Sequence, residues 1–344
     1  MLLRGRGSGL IKRTVVQPVA VFWLIVVAAP PVLASQVDFS QWLEAFAIEA
    51  QQRGISRSVI DSALDGVQPI PDVIELDRAQ PEATDDFCHY LGRRLTSTRI
   101  ERGRKLLKEH RDLLRRVTAK YGVPSRFLIA LWGLETNFGD ITGSFPVIDA
   151  LATLAHDERR GPLFREQLFA ALRIVDQGHR TPSRMKGSWA GGMGQVQLMP
   201  TTFLSSAVDY DGDGRKNIWT SLPDAFASAA TYLNDMGWRT GETWGREVAL
   251  PAELARNRAE LAKTRSIADW RSVGVKRIDG RALPGVVMRG SIVRPDRKKH
   301  HAFLVYANFH TIMRWNPSTF FAISVGALAD EISRSASLRA CRSE

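Results

Sequence analysis

"IALWGLETNFGD", residues 129–140, sets Glu135 in a stretch that is otherwise almost entirely apolar. Read as a helix, Leu128, Leu131 and Trp132 lie seven, four and three residues before Glu135, and Phe138 lies three after it. Those offsets place all of them on one helical face with the carboxylate. Residues 125–138 are apolar nearly all round, which predicts a buried central helix. A carboxyl group against apolar walls resists ionisation, because desolvation disfavours the charged form, and a general acid needs that property near neutral pH. The plain alternative is a Glu at a helix end that reaches solvent or meets a buried Arg.

Outward from this helix the chain reads as mainly α. From Phe39 to about Lys120 the pattern is amphipathic, and "RIERGRKLLKEHRDLLRRVTAKYGV" shows it best, with Leu106, Leu107, Leu113, Leu114 and Val117 at helical spacing among charges. Gly122 and Pro124 end that element and Ser125 is placed to cap the next. Further helices are predicted over 162–177 and 223–236, the latter opened by Pro223 and Asp224. After Gly241 the texture changes. "VKRIDGRALPGVVMRGSIVRP" mixes short β-branched runs with Gly, Pro and charge, which predicts a small sheet; 301–334 is again helical. The expected domains are a signal peptide over 1–34, a helical N-terminal lobe over 35–120, a core over 121–240, a small α/β insertion over 241–300, and a segment 301–344 that completes the core.

The first 34 residues stand apart. Arg4, Arg6, Lys12 and Arg13 form a basic start, Val19–Ala29 is an apolar run, and Val32-Leu33-Ala34 offers small residues for cleavage. This is the pattern of a secretory signal peptide, with an apolar run short for a membrane span. A periplasmic protein beginning near Ser35 is expected, and no Cys follows the run to carry a lipid. Removal of the segment lowers the formal charge from +11 to +7. A basic exported chain suits an anionic polymer such as the cell wall or an anionic membrane surface, and equally suits plain solubility. No nucleic-acid module is present. Cys88 and Cys341 are the only cysteines; export permits a disulfide between them, and sequence leaves open whether they meet.

Three further stretches carry chemistry. "MKGSWAGGMGQVQLMPTTF", 185–203, interleaves glycines with Ser188, Trp189, Gln195 and Gln197. Glycines let backbone approach something bulky, and amides, a hydroxyl and an indole suit sugars and N-acetyl groups. No GK[ST] ending or preceding apolar strand supports phosphate. A tight structural turn is the other reading. "DYDGDGRKNIWT", 209–220, sets Asp209, Asp211 and Asp213 at positions 1, 3 and 5 of a calcium-loop pattern, with Gly214 at 6. Thr220 stands at position 12 where a Glu is expected, which leaves ligation to water, Asn217 or an outside group such as Asp224; an Asp/Gly turn is the alternative. "YANFHTIMRWNPSTFFAI", 306–323, brings Asn308, Trp315 and Asn316 beside apolar neighbours and by itself reads as core packing before a helix start. The histidines lack zinc spacing, and no nucleophile elbow is present.

The order of "YGVP…LWGLETNFG", "LATLAHDERR", "GSWAGGMGQVQLMP", "DYDGDGRKNIW", "YLNDMGW" and "NFHTIMRWN" resembles the lytic murein transglycosylase B family, over roughly Phe87 to Ile332. The resemblance implies a lysozyme-like core and cleavage of the MurNAc–GlcNAc β-1,4 bond of peptidoglycan without water, leaving a 1,6-anhydro-MurNAc end. It implies Glu135 as the single catalytic acid/base and Ser188 and Gln197 in the sugar-binding loop. Tyr232, Asn308 and Tyr90 are implied as further substrate contacts, and Asp209, Asp211 and Asp213 as a calcium loop of some members. No cofactor is implied for catalysis, only a structural calcium. Peptidoglycan strands are the expected partner of a monomer. Cell-wall synthesis or division proteins are the natural class of protein partner, none of them specified by the sequence. Most glycosidases use two carboxylates. The apolar stripe offers one, which suffices when the substrate's N-acetyl group assists and its own C6 hydroxyl attacks. A muramidase using Asp140 or Asp149 as second acid, and a non-catalytic wall-binding module, are the rival readings.

Overall fold

The computed structural model describes residues 38–79, 86–296, 301–334 and 341; the expected signal peptide lies outside them. No helix among the described residues is long and apolar enough to cross a membrane. The chain is mainly α, as expected. The central helix is Ser125–Thr136, in which Phe127 to Leu134 are all buried. It packs against the helices Ser97–Glu109 and Thr319–Ser333, which also pack against each other. The last of these is equally apolar, buried from Phe321 to Ile332. Two helices with no polar face can only stand at the centre of the molecule. The long amphipathic run before them is two helices, Ser97–Glu109 and Arg111–Tyr121, the second closed by Gly122 in the left-handed region.

Ser125 is not the cap that the sequence suggested. Pro124 occupies the cap position without a side-chain bond, and Ser125 Oγ lies 3.0 Å from Thr118 Oγ1. Proline needs no N–H partner at this boundary, so the helix starts without a hydroxyl cap. Ser221 does cap the helix Leu222–Asp235, accepting from the Asp224 N–H.

Two small sheets complete the fold. β1 (Phe145–Pro146) pairs antiparallel with β2 (Lys186–Gly187) just beyond the central helix. The second sheet holds β3 (Gly245–Ala249), β4 (Arg265–Ser266), β5 (Lys276–Arg277), β6 (Arg289–Val293) and β7 (Phe303–Val305), in the order β4-β6-β7-β3-β5, every pair antiparallel. β7 is its centre, so the sheet draws its middle strand from the segment after residue 300 that was expected to hold only the returning helical part of the core. Side chains alternate across a strand. Phe303 and Val305 join the helical core, while Leu304 and Tyr306 join the insertion's own core with Trp270 and Ile292. Buried on both faces, this strand shows no alternation of polarity, which is why it reads as continuous apolar sequence.

Residues of the expected N-terminal lobe pack into the same core as the rest. One apolar cluster runs from Phe46 to Ile332. Trp244 fastens the insertion to that cluster: it is fully buried, donates to Asp330 Oδ2 at 2.9 Å, and fills space that a Cβ on Gly326 would enter at 2.2 Å. The two cysteines do meet. Cys88 and Cys341 form a disulfide with Cα atoms 5.2 Å apart, closing a sequence separation of 253 residues.

Candidate active site

Glu135 occupies the last turn of the central helix and is half-buried, whereas Leu128, Leu131, Trp132 and Phe138 on its face are all buried. The helix stops immediately afterwards. Asn137, Phe138 and Gly139 all have positive φ, at 52°, 61° and 87°. Such a backbone is unusual for a bulky residue and persists only where surroundings enforce it. The enforcement is visible: the Phe138 ring stands edge-on to Trp132 at 5.7 Å and occupies space that a Cβ on Gly133 would enter at 2.7 Å. The carboxylate thus stands on a rigid stub at the end of a buried helix.

The glycine loop is sewn to both sides of this stub. Trp132 Nε1 donates to Gln195 Oε1 at 2.7 Å, and Thr136 Oγ1 donates to the Gln195 carbonyl at 2.8 Å. Beyond the acid, Gln197 Nε2 donates to the Thr142 carbonyl at 2.9 Å. Gln195, one of the loop amides grouped with sugar ligands in the sequence reading, is spent on this stitching, since its Nε2 also donates to the Trp219 carbonyl.

Ser188 and Gln197 are brought together. A Cβ on Gly192 would lie 3.0 Å from Ser188 Oγ and 3.1 Å from Gln197 Oε1. The Gly192 N–H donates to Ser188 Oγ at 2.9 Å, and both Gln197 N–H groups go to backbone carbonyls. That leaves one hydroxyl proton and one amide oxygen over a residue with no side chain, a donor and an acceptor side by side.

The opposite wall comes from the far end of the chain. Trp315, in the helix Ala307–Trp315, donates its indole N–H to Glu135 Oε1 at 2.7 Å. Tyr232 stands edge-on to that indole at 5.2 Å, and its hydroxyl donates to the Arg314 carbonyl at 2.6 Å; burial pushes its phenol pKa up. Trp315 is the residue that sequence reading missed, having been taken as core packing. The one available signal was an indole N–H, which needs a partner when enclosed.

Two expected contacts lie elsewhere. Asn308 is fully buried: its Oδ1 accepts from the Arg239 N–H, and its Nδ2 donates to the Arg239 and Glu242 carbonyls. Its amide clamps the turn after the helix Leu222–Asp235 and has nothing left for a sugar. Tyr90 is 2% exposed in the helix Phe87–Arg94, 5.5 Å from Phe320 and beneath the Arg94 guanidinium, so it belongs inside the wall. The rival carboxylates also have places. Asp140 is exposed and held by Arg102 and Asn137, contacts that keep its pKa low. Asp149 lies in the first turn of the helix Val147–His156, where burial raises its pKa against the pull of Lys186.

In the acidic loop, Asp209, Asp211 and Asp213 each present an oxygen within 4.8 Å of the others, and all three are exposed. Asp224 is not the outside ligand that the sequence suggested. It is fully buried beneath the loop and accepts from the N–H groups of Tyr210, Asn217 and Asp211 at 2.7, 2.7 and 3.3 Å. Burial nevertheless moves its pKa upward. The Asn217 amide is turned to Thr220, so the donor set over the loop is the three aspartates. Three clustered carboxylates on a fixed turn fit a hard cation of the calcium kind.

A half-buried acid at the end of a buried helix, with a glycine loop hydrogen-bonded to the same helix end, suits a glycan-cleaving enzyme built on a lysozyme-like helical core. Residues 38–330 match the family model described as the transglycosylase SLT domain, and the chain belongs to that family. Membrane-bound lytic murein transglycosylase B of Escherichia coli (strain K12) is 31% identical over 250 residues, spanning 72% of this chain and 67% of that protein. SltB3 from Pseudomonas aeruginosa, solved in complex with NAG-anhNAM-pentapeptide, is 42% identical and superposes with a TM-score of 0.82, covering 86% of this chain and 79% of that one. Escherichia coli lytic transglycosylase Slt35, solved in complex with calcium, is 27% identical with a TM-score of 0.73, covering 88% and 94%. The protein is therefore an enzyme, a lytic transglycosylase, of the class that cleaves peptidoglycan.

Proposed function

We propose that this enzyme is exported and cleaves the MurNAc–GlcNAc bond of peptidoglycan without water, with Glu135 as its single acid and base. The observation that carries this reading is the Trp315–Glu135 hydrogen bond: an indole N–H holds Oε1 of a carboxyl whose helical face is otherwise apolar. Trp315 thereby fixes the orientation of the carboxyl that carries the acid proton. Glu135 delivers that proton to the bridging oxygen as the bond from the MurNAc C1 to that oxygen breaks, the MurNAc N-acetyl group assisting. The carboxylate then takes the proton of the C6 hydroxyl as O6 bonds to C1. Glu135 ends the cycle protonated, and the product is the 1,6-anhydro sugar. The SltB3 complexes with NAG-NAM-pentapeptide and NAG-anhNAM-pentapeptide support this pairing of substrate and product. Asp140, committed to Arg102, supports it from the other side, being unsuited to activate water. Mass spectrometry of muropeptides released from sacculi tests the reading: anhydro ends are expected, and reducing ends would establish a hydrolase.

Ser188 and Gln197 supply the donor and acceptor that grip the sugar beside the acid. Ser188→Ala and Gln197→Ala should each raise KM several-fold, as expected for one lost hydrogen bond to the sugar, and should lower the melting temperature without unfolding the protein, since Ser188 also holds the Gly192 N–H and Gln197 the Thr142 and Gly194 carbonyls. Unaltered kinetics on intact sacculi for both variants would make the loop a structural turn.

The aspartate loop takes calcium in a structural role, as the calcium complex of Slt35 supports. Without a carboxylate at position 12, affinity falls at the weak end, on the order of 10⁻⁴–10⁻³ M. Calcium at ten times Kd then stabilises the fold by about 1.4 kcal/mol, a rise of roughly 2 °C in Tm. A thermal melt with chelator against a calcium series measures it; Asp211→Ala should abolish the rise, and a wild-type melt indifferent to several millimolar calcium would reduce the loop to a turn.

A further inference from the structure

Gln195 stands where three segments meet, and its main chain and side chain hold different ones. The main chain fixes the glycine loop: the Gln195 N–H donates to the Ile218 carbonyl at 2.9 Å, and its carbonyl accepts from Thr136 Oγ1 at 2.8 Å. The side chain is committed at both polar ends. Its Oε1 accepts the Trp132 indole N–H at 2.7 Å, while its Nε2 donates to the Trp219 carbonyl at 3.0 Å. Trp219 is itself held, being buried with its indole N–H donating to the Lys186 carbonyl at 3.0 Å. The amide is thus anchored by Trp219 at one end and grips an indole of the central helix at the other.

Trp132 is the residue on which the end of that helix turns. Its carbonyl accepts from the Asn137 N–H, from the Phe138 N–H at 3.2 Å and from Thr136 Oγ1 at 3.2 Å. Its ring meets Phe138 and Phe226 edge-on at 5.7 and 5.2 Å. Glu135 lies inside this turn, three residues after Trp132 and directly before Thr136. The amide also abuts the turn from outside, since a Cβ on Gly139 would stand 2.5 Å from Gln195 Oε1. A bulky residue with positive φ, as Phe138 is, stays in place only when its surroundings over-determine it.

We infer that the Gln195 side chain is a positioning residue for bond cleavage: through Trp132 it fixes the turn that aims the Glu135 carboxyl, without itself touching the sugar. The inference rests on the reading of Glu135 as the acid. Proton transfer needs heavy atoms about 2.6–3.2 Å apart, so a small rotation of the turn slows the reaction. The sugar contacts are spared, because Ser188 keeps its bond to Gly192 and Gln197 its own anchors at Thr142 and Gly194.

The experiment compares Gln195→Met with the wild type. Methionine matches glutamine in length and lacks both polar ends, while the main-chain bonds of residue 195 are retained. On sacculi kcat should fall about 10-fold, the effect of one or two neutral hydrogen bonds, with KM unchanged. Calorimetric titration with NAG-NAM-pentapeptide, in proteins that also carry Glu135→Gln, should give the same Kd with and without Gln195→Met. Trp132→Phe removes the same bond from its other side, so the Gln195→Met/Trp132→Phe protein should be no slower than the slower single variant. Unchanged kcat in folded Gln195→Met, a weakening of KM or Kd as large as the fall in kcat, or additive losses in the double variant overturns the inference. If circular dichroism shows Gln195→Met unfolded, Trp132→Phe takes its place in the same kcat and Kd comparison, with the same outcomes expected. Failure of the Glu135 reading looks different: the folded Glu135→Gln protein then cleaves sacculi at a near-normal rate.

Discussion

Glu135→Gln is expected to lower turnover on sacculi by at least ~10² and up to ~10⁴, the range for loss of a general acid, with fold and wall binding intact. The amide matches the carboxyl in size, and its carbonyl oxygen can still accept from the Trp315 indole at the Oε1 position. The substitution preserves volume at a half-buried position, so stability should change little. What disappears is the ability to give a proton to the bridging oxygen and to take one from the C6 hydroxyl. Anhydro-muropeptide release measured beside a thermal melt and a sacculus pull-down decides it. Near-normal turnover by the folded variant would remove Glu135 from the mechanism and return attention to Asp149.

Trp315→Phe is the second large effect, a loss of about 10- to 100-fold in kcat, because a hydrogen bond to an ionisable group contributes about 1.5–3 kcal/mol. Phe keeps an aromatic ring for Tyr232 to stand against and removes only the donor and one ring of bulk. The loss should appear in kcat more than in KM, since the residue positions the acid. A purely structural role predicts independent damage, so the cycle with Glu135→Gln is the sharper measurement. The double variant should be no slower than Glu135→Gln alone. Additive losses would show that Trp315 acts through packing and not through the carboxyl.

The sequence carried the elements that local rules govern. An apolar helix ending in one carboxylate, a Gly122 stop, and the interleaved glycines of 187–194 are consequences of spacing and backbone freedom, and the structure has them where they were read. Ser188 and Gln197 come together because their loop is short and contiguous, and it was the family pattern that singled them out from Trp189 and Gln195. The family pattern added the lysozyme-like core and the role proposed for Glu135, both read from order along the chain.

What the sequence alone could not distribute was the partner of each polar group. Asn308 and Trp315 lie seven residues apart in one helix, and nothing in the composition of that segment says which faces the acid. The tertiary structure sends the Asn308 amide into a backbone turn 66 to 69 residues away and the Trp315 indole to a carboxylate 180 residues away. Likewise Asp224 reads as a spare calcium ligand until the fold turns it beneath the loop, and Cys88 finds Cys341 only when the chain's end returns to the helix Phe87–Arg94. Hydrophobic periodicity decides which side of a helix is buried. Hydrogen-bond partners across long sequence separations depend on the relative placement of whole elements, which is settled by the packing of two nearly featureless apolar helices, Ser125–Thr136 and Thr319–Ser333, whose uniform faces carry no mark of their register.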